Sequence, residues 1–187
     1  MKMKKSFLML VMAVAALAAG SSNTFAQDNP MVGGAAMYRT KDIVDNAVNS
    51  QDHTTLVAAV KAAGLVGTLK GKGPFTVFAP TNAAFEKLPS GTVETLLRPE
   101  NKGTLTKVLT YHVVAGRMDS KAIMKAIRKG GGTATLTTVS GDKLMAMMSG
   151  DRLVLRDEKG GTSTVTTANV YQSNGVIHVV DTVVMPN

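Results

Sequence analysis

Three histidines, His53, His112 and His178, are the side chains of this sequence best suited to moving protons or holding a metal ion, and their settings argue against both uses. His112 and His178 lie among valines in segments that read as strands, and His53 sits near a helix start. No pair has the short spacing that brings imidazoles together on one helix, and no His-Glu-x-x-His run occurs. Buried imidazoles bonded to backbone or hydroxyl groups explain His112 and His178 more simply. Asp181, also flanked by valines, could pair with a histidine or a backbone amide and shift its pKa without any chemistry following. Nucleophilic catalysis has no evident carrier, because cysteine is absent and there is no Gly-x-Ser-x-Gly elbow. Gly71-Lys-Gly-Pro74 and Gly130-Gly-Gly132 are not phosphate loops: neither places Lys-Ser or Lys-Thr after four spacers, and the first leads into a strand. No enzyme, metal site or cofactor is expected.

Met145, Met147 and Met148 offer a different chemistry. Residues two apart on a strand share a face, and paired thioethers suit Cu(I). Methionines also fill irregular gaps in cores, and the neighbouring Leu144 fits that use.

The elements that would position these residues fall into two groups. Thr40 can cap a helix with Asp42 in its first turn and Ile43, Val44, Ala47 and Val48 at helical spacing. Leu56, Val57, Val60 and Ala63 predict a second helix over 54–63, with Gly64 as its stop. Residues 75–79 read as a short strand buried on both faces, followed by a helix capped by Thr81 or Asn82. Further helices are expected over 92–97, 104–110 and 119–129, with a strand over 111–114 between the last two.

Threonine, valine and glycine then take over, giving strands over 133–139, 143–148, 153–156, 163–167, around Val170 and Tyr171, and over 176–185. Turns are expected at Gly141-Asp142, Ser149-Gly150-Asp151, Lys159-Gly160-Gly161 and Asn174-Gly175, the last because both residues tolerate positive φ. Helices early and strands late make an α+β domain.

Lys2, Lys4 and Lys5 precede an apolar run from Phe7 to Ala19, too short for the roughly 20 residues of a spanning helix. Residues 1–26 therefore read as a signal peptide cleaved after Ala26, residues 27–39 as a flexible leader, and residues 40–187 as one domain. About 160 residues bury enough surface to fold without staples. Losing three lysines lowers the net charge from +8 to about +5, a bias towards anionic partners, with the lysines scattered and no long basic run. Tryptophan is absent and aromatic residues are few, so nucleic-acid binding is not expected.

Several of these segments together resemble the fasciclin, or FAS1, domain family: Asp42-Ile-Val at the start, Phe75 to Phe85, Tyr111-His112, and Asn174 to Pro186, in that order. The resemblance implies a compact wedge of two small β-sheets flanked by several short helices. It also implies a noncatalytic, secreted or periplasmic monomer that binds a cell-surface or envelope protein or polysaccharide. A ligand carrier, for Cu(I) or a small apolar molecule, is the alternative. The family's adhesion determinants fall on Tyr111-His112 and on Asn169-Val170, where animal members carry Asp-Ile. The carboxylate is missing here, and Tyr111-His112 with Val108, Leu109, Val113 and Val114 fits a core equally well.

Overall fold

The fold was obtained as a computed structural model that describes residues 29–187. The signal peptide expected over 1–26 and its cleavage point lie outside the described residues.

Order begins earlier than the composition suggests. Residues expected as a flexible leader form a hairpin of β1 (Met31–Val32) and β2 (Ala35–Ala36), with Val32 and Met37 buried in the core. Gln51 N–H donates to the Gly33 carbonyl at 3.0 Å and ties the hairpin down. Two-residue strands are too short to show a period, so the segment read as a linker.

Helix α1 (Ile43–Ala47) is capped by Asp42, which accepts the Asp45 N–H at 2.8 Å, and not by the expected Thr40. Helix α2 (Thr54–Ala63) stops at Gly64, whose φ of 75° suits glycine. A single turn, α3 (Val66–Leu69), leads to β3 (Phe75–Pro80) and then α4 (Asn82–Glu86), where the Thr81 hydroxyl accepts from Ala84 N–H at 3.2 Å.

After α5 (Thr92–Leu97), helix α6 (Lys102–Tyr111) runs further than expected and takes Tyr111 out of the strand assigned to it. Leu105, Val108, Leu109 and His112 continue one buried stripe at helical spacing, which holds the helical course to its end. Strand β4 (Val113–Ala115) and the amphipathic helix α7 (Ser120–Lys129) complete the first half.

The second half is β5 (Thr133–Thr137), β6 (Lys143–Ser149), β7 (Arg152–Arg156), β8 (Thr162–Gln172) and β9 (Gly175–Val180). The strands expected over 163–167 and around Val170 and Tyr171 are one, and the last, expected to reach 185, ends at Val180. There Asp181 turns away and accepts the Thr164 N–H at 2.8 Å, which is the backbone partner expected for it.

The strands form one ladder in the order β4-β3-β9-β8-β7-β6-β5, antiparallel except for β3 beside β9. Register shifts between Val165, Thr167 and Val170 bend β8, so its start pairs with β7 and its remainder with β9. The two ends then meet through a bridge between Val114 and Thr138 and a 2.7 Å bond from Val139 N–H to the Val113 carbonyl. The implied wedge is thus one ladder folded at β8, with the small β1–β2 sheet beside it.

Two cores result. Val77, Ala79, Ile177 and Val179 face α1, α2 and α6, while Phe78 and Val180 face Leu136, Leu144, Leu155 and the Ile123–Ile127 side of α7. β3 and β9 are buried on both faces, as the near-continuous apolar runs predict. Among the described residues no helix is long and apolar enough to cross a membrane.

The Asn174-Gly175 turn forms differently from its expected mechanism. Ser173 and Asn174 make the two-residue connection, Gln172 pairs with Gly175, and neither Asn174 nor Gly175 has positive φ. Asn174 instead works through its amide, donating to the Leu69 and Gly71 carbonyls at 2.7 and 2.9 Å and accepting from Ile43 N–H at 3.0 Å. Glycine is required at 175 because a Cβ there would collide with the Phe75 carbonyl oxygen and lie 2.9 Å from Ile43 Cδ1. Gly175→Ala should therefore lower stability by about 1–3 kcal/mol or more, as overpacking against backbone does. Urea denaturation reads this directly, and an unchanged midpoint would contradict the close approach.

Candidate functional site

Helix α6 delivers His112 to the interior as its C-cap residue. Nδ1 lies 2.8 Å from the Val108 carbonyl and Nε2 accepts the Val184 N–H at 3.2 Å, so Nδ1 carries the proton and the neutral ring has both nitrogens occupied. Burial pushes its pKa down to about 4, against weaker opposing pulls from the Val108 carbonyl and Asp157. Tyr111, fully buried, donates its hydroxyl to the Lys143 carbonyl at 2.7 Å, and burial pushes its pKa up to about 12.

Strand β9 places His178 against Phe78, ring centroids 5.6 Å apart. Its Nε2 lies 2.9 Å from the Met118 carbonyl and its Nδ1 3.5 Å from Asn169 N–H. His53 rests on the Ser50 hydroxyl at 2.8 Å. Burial lowers both pKa values, opposed for His178 by the Met118 carbonyl and Asp119 and for His53 by the Ala79 backbone and Asp52. The three rings have separate partners, and among the described residues no three His, Asp or Glu side chains come close enough to hold a metal ion. His112 and His178 are hydrogen-bonded struts, the simpler of the two readings that the sequence offered for them.

The four residues singled out for partner contact are brought to different settings. Tyr111, His112 and Val170 are inside, with Val170 1% exposed, so their side chains are not displayed for a partner; the apolar and hydrogen-bonding demands of the core claim them first. Asn169 is half-buried with φ 63°, a left-handed conformation that asparagine tolerates. Its Oδ1 accepts Ser120 N–H at 2.7 Å and its Nδ2 donates to the Ser120 hydroxyl at 2.8 Å. Asp119, the cap of α7, accepts Ala122 N–H at 2.8 Å and the Tyr171 hydroxyl at 3.2 Å, and the Ala122 bond leads in holding its carboxyl below the usual range. Residues 169–171 thus fix where α7 starts.

Helix α7 buries Ile123 and Ile127 and turns Lys121, Lys125, Arg128 and Lys129 outward. Lys121, Lys125 and Lys129 follow one another at four positions, with Arg128 three beyond Lys125, hence along one stripe. None of the four belongs to an ion pair within the described residues, whereas Lys70, Lys87 and Lys107 do. The linear sequence looked scattered because helical spacing, not adjacency, collects the charges; the signal lay in the same apolar period that predicted the helix. On β6, Leu144 and Ala146 point inward, so Met145 and Met147 sit half-buried on the opposite face and do not fill the core as expected from Leu144.

The architecture is a compact α+β wedge, a folded strand ladder flanked by short helices. Residues 51–186 match the Fasciclin domain family, and the chain belongs to that family. It is 43% identical to protein sll1483 of Synechocystis over 86% of this chain and 82% of the relative. It is 34% identical to immunogenic protein MPB70 of Mycobacterium bovis over 87% of this chain and 78% of the relative. The FAS1 domain pair of the insect cell adhesion molecule Fasciclin I superposes with a TM-score of 0.67 at 18% identity, covering 76% of this chain and 50% of the insect chain. That likeness shows the shared FAS1 fold.

The histidines impose an acid limit. Each binds protons more readily unfolded than folded, so their stabilisation is complete above about pH 6.5 and declines as pH falls towards the folded-state values. For His112 alone the loss approaches about 3 kcal/mol near pH 4. Urea midpoints should fall measurably between pH 7 and pH 5, before most carboxylates titrate, and a flat profile there would refute the assignment. His112→Ala should cost about 1–3 kcal/mol at pH 7.5 by stranding the Val184 N–H.

Asn169→Ala should cost a similar amount, about 1–3 kcal/mol, through two lost bonds and a strained φ. Amide exchange should quicken selectively in the first turn of α7, and uniform exchange across the domain would argue against a local clamp.

Proposed function

We propose that the protein is an exported, noncatalytic adhesion module that docks on anionic cell-envelope polymers through the outer face of α7. The observation that carries this reading is the unpaired stripe of Lys121, Lys125, Arg128 and Lys129. Like charges one turn apart repel by a few tenths of a kcal/mol each, a cost that an anionic chain lying along the stripe would reverse. Such binding draws its strength and its speed from charge complementarity.

Family membership supports a surface role, and the insect protein sharing the fold is described as a cell adhesion molecule. The N-terminal pattern of lysines and apolar residues supports export. The family's contact position at Asn169-Val170 keeps a part in this reading: by clamping Ser120 it aims α7 rather than touching the partner itself.

Binding of the purified protein to isolated envelope polymers at about 0.15 M salt tests the reading. Changing Lys121, Lys125, Arg128 and Lys129 together to Gln should weaken binding at least about tenfold. Changing Lys72, Lys102, Arg152 and Lys159 to Gln removes the same charge elsewhere and should weaken it by less than about threefold. Equal losses in the two variants would mean that net charge alone recruits the protein.

A further inference from the structure

Around the β8–β9 turn, cations from separate parts of the chain converge. Arg39 and Lys41 come from the strap after β2, and Arg117 from the loop after β4. All three are exposed, and none belongs to an ion pair within the described residues. The Arg39 guanidinium lies over the Tyr171 ring, 4.6 Å from its centroid. Arg117 donates through one terminal nitrogen to the Gln172 and Ser173 carbonyls at 3.1 and 3.0 Å. The Lys41 carbonyl accepts Ser173 N–H at 2.9 Å, and its ammonium rests over the Tyr38 ring, 5.0 Å from the centroid.

The neighbouring carboxylates are already engaged. Asp42, next to Lys41, pairs with Lys70 at 2.9 Å. Asp119 accepts Ala122 N–H at 2.8 Å and the Tyr171 hydroxyl at 3.2 Å. Burial raises the Tyr171 pKa and Asp119 adds to the rise, while Arg39 and Arg117 both oppose it, so the two guanidiniums act on one hydroxyl. Gathering like charges is unfavourable, and each long side chain has about 2 kcal/mol of rotamer entropy to lose. Here the rings and the turn carbonyls hold the cationic heads before any ligand arrives.

Nε and the second terminal nitrogen of Arg117, and the whole guanidinium edge of Arg39, carry N–H groups with no acceptor among the described residues. Such forks match the oxygen edge of a carboxylate or a phosphate. Two forks and an ammonium exceed what one carboxylate can occupy, whereas a phosphate monoester brings several acceptor oxygens and up to about two charges. We propose that Arg39, Lys41 and Arg117 form a binding site for a terminal phosphoryl group at the β8–β9 turn. It uses none of the α7 stripe and stands whether or not that face binds polymers.

Titration of the purified protein with inorganic phosphate at about pH 7 and constant ionic strength, followed by amide and arginine side-chain NMR, tests the site. Saturable shifts are expected at the Ser173 amide and at Nε of Arg39 and Arg117, with Arg98, Arg128 and Arg152 unmoved. Acetate and dimethyl phosphate, each with one charge, should bind at least about tenfold more weakly. Changing Arg39, Lys41 and Arg117 together to Gln should weaken phosphate binding at least about tenfold. Changing Lys125, Arg128 and Lys129 to Gln removes the same charge from α7 and should weaken it by less than about threefold. Should the first variant fail to fold, the arginine resonances of the unaltered protein decide alone. A sugar phosphate and vesicles containing phosphatidic acid present the same group on different carriers, and binding by the free ion alone would assign the site to inorganic phosphate. Equal shifts at every arginine, equal affinity for acetate, or equal losses in the two variants would each overturn the proposal. Envelope binding enters none of these measurements, so failure of the α7 reading leaves them unchanged.

Discussion

The parallel pairing of β3 with β9 is the contact on which the rest depends. It joins Phe75–Pro80 to Gly175–Val180, about 100 residues apart, in register from Phe75 beside Gly175 to Pro80 beside Val180. Parallel neighbours need a crossover, and here it comprises nearly everything between them, from α4 to β8. Because both strands are buried on both faces, they divide the interior: one side serves the helices, the other the folded-over ladder and α7. The pairing is admitted by the absence of a side chain at Gly175 and locked by the Asn174 amide, which reaches α1 through Ile43 and the end of α3 through Leu69. Forming so distant a pair exacts loop-closure entropy before most local contacts can repay it, so the domain is expected to fold slowly for its size.

Much of this was legible, where a residue type has one dominant physical use. Gly64 ended α2, Thr81 capped α4, and the glycine turns separated β5 from β6, β6 from β7, and β7 from β8. What escaped was governed by tertiary context. Helix α6 continued through Tyr111 because its buried stripe outlasted the β-branched residues that suggested a strand. Met31–Ala36 carried too few residues to show a period. The site was less legible than the fold: a tyrosine and a histidine in sequence read equally as contact residues or as core, and only their hydrogen bonds to the Lys143 and Val108 carbonyls and to Val184 distinguish the two.

Buried polar groups are the common thread among the residues that the sequence did not rank. Asn46 is fully buried, donating to the Tyr38 carbonyl at 2.7 Å and to Gln172 Oε1 while accepting Tyr38 N–H at 2.9 Å. Asp157 is 4% exposed and accepts Gly161 N–H at 2.6 Å and Met185 N–H at 3.0 Å. Each pins a segment lacking regular partners of its own: the strap between β2 and α1, the β7–β8 turn, and the tail after β9. On a helix or turn such residues read as solvated, because nothing local announces their distant partners. With no cysteine anywhere in the chain, these amides and carboxylates do the fastening that disulfides supply in many exported domains.

The bridge between Val114 and Thr138 carries one further consequence. A ladder of seven strands ordinarily presents two open margins, each a template for another chain in extended form. Here one margin is only three residues long and leans against the end of the other, so the backbone groups most apt to recruit a stray strand are already engaged. A β-rich domain gains from that closure a resistance to edge-to-edge polymerisation.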